Sequence, residues 1–471
     1  MAVSTPVQNW ARTSPDALAV ITPHQSLSWL QLQSRIDHLS AQLKQQGIKQ
    51  GDVVTCVGRN SEQLLLLYLA CIQSGVICAF SMPEPKQKLT DKLKRLYADS
   101  AHALIWTVDD AICLNAVVNG NVVKLDFTCL ENLSGLEHQA AGVFSPQQLC
   151  SIVFTSGSTG TPKAVAHQFA QHQASAQGLL EQFQFTQSDT WLLSLPMYHV
   201  SGLAIVHRWL SVGACLKVGT GDLMADIQGV SHASLVATQL ERLLASKQAL
   251  SLTHVLLGGS HVDLSLSQAA AQRGIETWLG YGMTEAASTV TVKRIDANYS
   301  AGKVLPQRQL DIREGRIWVG GNTLASGYFQ QGSLTPIVDS NGWFDSKDLG
   351  HWSEHGELII VGRADNQFIS GGENIHCEEI EQALALHPHV SQVMVVAVEN
   401  SQYGARPIAL VSSDINFELG ELNQWLDDKL VHFKHPDAYL ELPQQLLSGG
   451  IKLSRRDVKN WLAENTDWVP V

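Results

Sequence analysis

An apolar run of strand length, Ser151 to Phe154, leads straight into Thr155-Ser-Gly-Ser-Thr-Gly-Thr-Pro-Lys163. The first segment favours buried extended backbone. The second suits the interior of neither helix nor strand, because two glycines and a proline interrupt nine residues. A chain with this junction must end a strand at a loop whose backbone is free to wrap around something. The flanking pattern agrees. Gln31 to Gln46 has helical periodicity and stops at Gly47, Asp52 to Val57 is an apolar run of strand length, Leu64 to Gln73 reads as a buried helix, and Gly75 to Phe80 reads as a further strand. This alternation predicts an α/β fold with covered sheets. At 471 residues the chain exceeds what one core usually holds, so more than one domain is expected.

The loop itself has the chemistry of a polyphosphate site. Its glycines, Gly157 and Gly160, let backbone amides approach an anion closely, the hydroxyls of Thr155, Ser156, Ser158 and Thr159 add donors, and Lys163 adds a charge. It is not a Walker A loop, which has Gly before the Lys and Ser or Thr after it; here those positions hold Pro162 and Ala164. Taken alone, a Ser/Gly loop of this composition could be an ordinary flexible turn. The ordered string as a whole argues otherwise.

A domain boundary is expected near residue 363. The strand candidate Glu357 to Val361 is followed by the polar stretch Gly362-Arg363-Ala364-Asp365-Asn366. Beyond it, Ile375 to Leu386 is helix-like, Val393 to Val398 is a strand, Glu418 to Leu430 is helical, and Ser454 caps a last helix with Asp457 three residues on. The expectation is a large N-terminal domain over 1–363 and a small, mobile α+β domain over 364–471, joined by a polar hinge.

The balance of charge excludes some partners. A net charge of −12 makes long-range attraction to nucleic acid or an anionic membrane unfavourable, so any anionic ligand must be held by local groups. The longest apolar run, Leu64 to Ile72, is far short of the roughly 20 residues of a membrane span, and no secretory leader is read at the amino terminus. The eight cysteines form no CxxC pair, which points to reduced thiols in a cytoplasmic protein and to neither a zinc site nor a redox motif.

On the loop Thr155–Lys163 the chain resembles the superfamily of acyl-CoA synthetases, amino-acid adenylation domains and firefly-type luciferases. Four further motifs match in that family's order: Tyr281-Gly-Met-Thr-Glu285, Gly342-Trp-Phe-Asp-Ser-Lys-Asp348, Gly362-Arg-Ala-Asp365 running on to Gly371-Gly-Glu-Asn374, and Gly450-Ile-Lys452. Two depart from the pattern, with Ser346-Lys347 where Thr-Gly is usual and Ile451 inserted before the lysine. The resemblance implies ATP, Mg²⁺ and coenzyme A as reactants, and activation of a carboxylate as its acyl-AMP. Such a transfer needs charge neutralisation more than proton transfer. By resemblance, Lys452 bridges the attacking carboxylate and the α-phosphate, Thr284 donates to that phosphate, and Glu285 holds Mg²⁺. Asp348 accepts the ribose hydroxyls and Arg363 clamps the ribose–phosphate edge. Gly258, Gly259 and Ser260 with the Tyr281 ring form the adenine slot. Gly371 and Gly372 line a pantetheine path when the small domain rotates about Asp365.

The acid is read from other residues. Leu195-Pro-Met-Tyr-His-Val-Ser-Gly202 has no carboxylate to receive a substrate ammonium, which disfavours amino acids. His199 falls where the family places a His or aromatic beside the reacting carboxylate. Arg208 lies in the largely apolar stretch Gly202 to Gly213. It either snorkels to the surface or is buried and needs an anion. Pro196–Gly202, Arg208-Trp209-Leu210, Tyr281–Val290 and Gly449–Arg455 together resemble the o-succinylbenzoate–CoA ligase family of menaquinone synthesis. That resemblance implies an aromatic dicarboxylate as substrate, Arg208 as the cation for its ring carboxylate, and Gly282 and Ser288 in the acyl pocket. Open alternatives are another aryl- or fatty-acyl-CoA ligase, a luciferase-like oxygenase, or a non-catalytic nucleotide-binding regulator. A homo-oligomer is neither required nor excluded.

Overall fold

The structure is a computed structural model, and it describes residues 3–108, 121–127, 144–155, 162–246, 248–258, 262–413, 418–447 and 453–471. It divides into two compact units, 1–310 with 319–344, and 311–318 with 345–471.

Among the described residues, the first unit carries one sheet of nine strands and one of eight. Leu149–Thr155 lies inside the eight-stranded sheet, parallel to Ile77–Ser81 on one side and antiparallel to Lys163–Gln168 on the other. The nine-stranded sheet contains His254–Gly258 parallel to Glu276–Met283, which pairs in turn with antiparallel Ser288–Arg294. One hydrophobic cluster draws on both sheets (Val54, Phe80 and Val153; Trp191, Leu216 and Val292) and on the helices Trp29–Gln45, Glu62–Ser74, Phe169–Leu180 and Val200–Val212. Sheets covered in this way explain why the strands read as continuous apolar runs.

The helix expected over 31–46 begins two residues earlier, at Trp29. Ser28 is its N-cap, with Gln31 accepting the Ser28 amide at 2.9 Å and Ser28 Oγ accepting the Gln31 amide at 3.3 Å. That reciprocal pair fixes the start more firmly than periodicity does. The buried helix Glu62–Ser74 buries every residue from Leu64 to Gln73 and ends at Gly75 in the left-handed conformation.

In the second unit, residues 311–313, 316–318, 345–352 and 358–363 belong to one sheet, and a further sheet is built on Gln392–Asn400 and Gly404–Ser412. The core of the latter includes Ile380 and Leu384 of the helix Cys377–Ala385 with Leu422 and Leu426. Ser454 caps the last helix, Arg455–Asn465, as expected. Two segments differ from the sequence reading. Ile375 and His376 belong to a hairpin strand, Glu373–His376, and the helix starts only at Cys377. The segment 418–430 is helical only over Glu421–Leu426. The compact division also falls elsewhere than 363: residues 345–363 cluster with the C-terminal part because their strands share a sheet with 311–318.

Candidate active site

The strands that flank the phosphate-type loop in the chain, Leu149–Thr155 and Lys163–Gln168, pair antiparallel. Thr155 and Lys163 are cross-strand partners at the base of the loop; Ser156, Gly157, Ser158, Thr159 and Gly160 lie outside the described residues, as do Gly259, Ser260 and Lys452. The Lys163 ammonium sits 4.8 Å from the centre of the Tyr328 ring, on the strand Gly327–Gln330 that pairs with Lys163–Gln168. The Tyr328 hydroxyl donates to Glu285 Oε1 at 3.1 Å. Burial first, then the Glu285 charge, push this phenol well above its ordinary pKa, so it remains a donor. One tyrosine thus gathers a cation and a hard oxygen donor at the base of the loop. A carboxylate beside phosphate-binding groups is the usual protein share of a Mg²⁺–nucleotide site, so the donor set fits that ion.

Thr284 and Glu285 lie in a single 3₁₀ turn, Thr284–Ala286, between Glu276–Met283 and Ser288–Arg294. The turn is tight. Ala287 and Ser288 both have positive φ, at 51° and 95°, and a Cβ on Gly282 would lie 1.9 Å from the Ser288 carbonyl oxygen. Gly282 is therefore demanded by backbone approach, and Ser288 is buried beside it. Three neighbours fasten the turn's carbonyls: His167 Nε2 to Thr284 O at 2.9 Å, the Ala325 amide to Glu285 O at 2.8 Å, and Ser175 Oγ to Ala287 O at 2.5 Å. Tyr281 faces Thr291 across the same hairpin, and Gly258 pairs with Gly280 on the adjoining strand.

Arg208 does not snorkel. It is 2% exposed on the helix Val200–Val212. Its guanidinium lies 5.4 Å from the Trp191 ring centre and donates to Thr289 Oγ1 at 3.2 Å, while its Nε has no hydrogen-bond partner. Among the described residues no carboxylate forms an ion pair with it. Burial, reinforced by the neighbouring Arg308 charge, pulls its pKa down to about 9, so it stays protonated at neutral pH. Arg308 is also buried, but it is saturated by oxygens of Thr289, Pro306 and Ser175. An isolated buried cation costs several kcal/mol unless an anion joins it.

The segment before that helix is fixed by Asn60, whose amide donates to the Leu193 and Leu195 carbonyls at 3.0 and 2.8 Å and accepts the Met197 amide at 2.9 Å. His199 is the helix N-cap in extended conformation, with its ring free of capping duty and set edge-on to Tyr198 at 4.9 Å. Loss of surrounding water, then the Lys92 charge, hold His199 below its ordinary pKa.

Behind the turn, His167, His172 and His207 are buried, with ring centroids 4.7 and 4.5 Å apart in sequence. Donor atoms of Cys150, His172 and His207 lie within 4.8 Å of one another. The His172 and His207 planes are only 15° apart, so their in-plane lone pairs run side by side and do not converge on one ion. Their Nε2 atoms already engage Ser151 Oγ at 2.7 Å and the Tyr68 hydroxyl at 2.8 Å. This group is a polar core of neutral imidazoles.

The second unit holds its own share of the expected residues. Arg363 NH1 donates to Asp348 Oδ1 at 3.0 Å, and the same guanidinium grips Asp365 through Nε and NH2 at 2.8 and 3.1 Å. Asp365 lies in the 3₁₀ turn Ala364–Asn366. Gly371 and Gly372, at φ 58° and 93°, make the two-residue turn between Ser370 and Glu373, a geometry that only glycine adopts freely.

Tyr328, His167, Thr289 and Trp191 were not legible as site residues. Each meets its partner across a long stretch of chain, and no local pattern marks it.

Comparison with known proteins follows the same lines. The AMP-binding enzyme family matches residues 7–329, and the AMP-binding enzyme C-terminal domain matches 379–447. The chain is 39% identical to the 2-succinylbenzoate–CoA ligase of Salmonella typhimurium, covering 98% of each chain, and 38% identical to that of Escherichia coli, covering 97% of this chain and 98% of the other. Among solved structures, a point variant of E. coli MenE with bound OSB-AMS is 36% identical, covers 98% of this chain and 99% of its own, and superposes with a TM-score of 0.86.

Proposed function

Because this chain belongs to the AMP-binding enzyme family, alongside the 2-succinylbenzoate–CoA ligases, we propose that it activates 2-succinylbenzoate with ATP and passes the acyl group to coenzyme A, a step of menaquinone synthesis. An oxygen of the succinyl carboxylate attacks the α-phosphorus of ATP and pyrophosphate leaves. The thiol of coenzyme A then attacks the acyl carbon and AMP leaves.

Lys163 and the loop amides neutralise the leaving pyrophosphate. Thr284 donates to the α-phosphate and Lys452 bridges it to the attacking oxygen. Asp348 accepts from the ribose, with Arg363 at the ribose–phosphate edge, and Gly258, Gly259, Ser260 and Tyr281 bracket the adenine. Mg²⁺ held by Glu285 would add charge neutralisation at the phosphates. His199 orients the reacting carboxylate, and Gly282 and Ser288 shape the acyl pocket. Gly371 and Gly372 serve the pantetheine arm, and Asp365 is the pivot between half-reactions. ATP and coenzyme A are cytoplasmic pools, and the cytoplasm is where we place the enzyme.

The choice of acid is carried by one observation: Arg208 is buried without a carboxylate partner among the described residues. A second carboxylate on the substrate completes it. The test is pyrophosphate release over a panel of carboxylic acids, with coenzyme A added afterwards. Fastest release with 2-succinylbenzoate, followed by its thioester, is expected. Preference for a monocarboxylic aryl or fatty acid would sink the assignment, and formation of ADP with phosphate would sink adenylation.

A further inference from the structure

Lys163 and His167 lie four residues apart on one strand, so their side chains leave the same face of the sheet. Lys163 reaches toward Glu285 by way of Tyr328. His167 reaches the backbone of the neighbouring residue, with Nε2 at 2.9 Å from the Thr284 carbonyl. A carbonyl oxygen only accepts, so His167 is the Nε2–H tautomer and its Nδ1, which has no partner, carries a bare lone pair. The ring is fully buried and packed against His172, which leaves it no alternative acceptor and little rotational freedom. The Glu285 and Ala287 carbonyls are held from the chain segments at Ala325 and Ser175. The Thr284 carbonyl alone is held from the strand that bears the loop lysine.

We propose that His167 is a positioning residue for adenylation, locking the Thr284–Glu285 turn to the phosphate-loop strand through its Nε2–H bond to the Thr284 carbonyl. The inference rests on the roles assigned above to Thr284 and Glu285. Phosphoryl transfer is positioning plus charge stabilisation, so groups that contact the phosphates from different strands must keep a fixed separation. Without this bond the turn keeps its other anchors and the protein its fold, but Thr284 loses its tie to the Lys163 strand and Glu285 keeps only the side-chain link through Tyr328.

The experiment measures ATP–pyrophosphate exchange with 2-succinylbenzoate, as a function of Mg²⁺ and of each substrate, in the full chain and in His167→Phe, His167→Gln and His167→Asn. Phe keeps a flat buried ring and removes the donor. Gln places an amide nitrogen where the imidazole Nε2 stood, and Asn places it one bond short. The expected result is a kcat reduced about tenfold in His167→Phe, the worth of one such bond, with a raised Mg²⁺ requirement and an unchanged KM for the acid. Most of the loss should be recovered in His167→Gln and little of it in His167→Asn. Wild-type kcat and Mg²⁺ dependence in His167→Phe would overturn the proposal. So would equal losses in all three variants, which would mean that the residue only packs. If His167→Phe fails to fold, the Gln–Asn contrast decides alone. Failure of the wild type to exchange pyrophosphate with any acid removes the adenylation reading and this proposal together. A normal wild type beside an indifferent His167→Phe removes this proposal only.

Discussion

Arg363 holds Asp365 in a two-pronged grip, Nε to Oδ1 at 2.8 Å and NH2 to Oδ2 at 3.1 Å, and the same guanidinium reaches Asp348. Partial burial alone would raise the Asp365 pKa, but the Arg363 hydrogen bonds and charge outweigh it and hold the carboxyl below its ordinary value. The residue assigned as pivot and the residue assigned to the ribose therefore share one arginine. Asp365→Pro fixes φ near −65° and removes a backbone donor within the turn Ala364–Asn366. Adenylation is expected to persist while thioester formation collapses. Measuring the two half-reactions separately checks this, and unchanged thioester formation would place the pivot elsewhere.

Lys452 is assigned by resemblance to the first half-reaction alone. Removing a donor that stabilises transition-state charge costs about 10²–10³ in rate, so Lys452→Ala should slow pyrophosphate exchange on that scale and leave thioester formation from supplied acyl-AMP intact. Equal losses in both half-reactions would show that the lysine does something else.

The buried imidazoles make stability depend on pH in a stated direction. Burial, opposed in part by the Thr284 carbonyl, brings His167 to about 4; burial and then the His167 charge bring His207 to about 3; burial and the two neighbouring histidines hold His172 well below 6.5. The unfolded chain takes up protons below pH about 6.5 while the native state does not. Stability is therefore complete above that pH and falls as pH drops from 6.5 toward 4, by about 1.4 kcal/mol per pH unit for each histidine. Urea midpoints measured between pH 7.5 and 5 should show the decline. His207→Gln should make it shallower, and a flat profile would mean that these rings are solvated.

The strand–loop junction at Thr155, the buried helix after Ser61 and the cap at Ser454 were legible because each is a local pattern whose cause lies within a few residues. The start of the helix at Cys377 was not, since a short apolar stretch such as Ile375 fits a strand as well as a helix turn and is settled by its partner Phe368. The division at 344/345 was hidden for a similar reason: residues 345–363 look like the end of the large domain until they share a sheet with 311–318. In the candidate site, Glu285 and Asp348 stand out in the sequence because each belongs to an ordered motif. Tyr328, which joins Glu285 to Lys163, does not, because nothing near it in the chain records a contact formed 43 residues away.

Arg208 offers the sharpest test of substrate choice. Its donors reach Thr289 and the face of Trp191, yet Nε has no partner, so the guanidinium is held in place without being neutralised. On the proposed reading, an acid with one carboxylate leaves that charge uncompensated, and a pocket built for a charged group rejects analogues that lack it. A charge-assisted contact is worth roughly 1.5–3 kcal/mol, or about tenfold to a hundredfold in kcat/KM. Arg208→Ala should lose that much with 2-succinylbenzoate and much less with an analogue lacking the ring carboxylate. Arg208→Lys should recover only part, since an ammonium cannot reproduce the planar fork. The deciding quantity is the coupling energy in the double cycle of residue against substrate carboxylate. A value near zero would make Arg208 a structural cation and return the choice of acid to the panel assay.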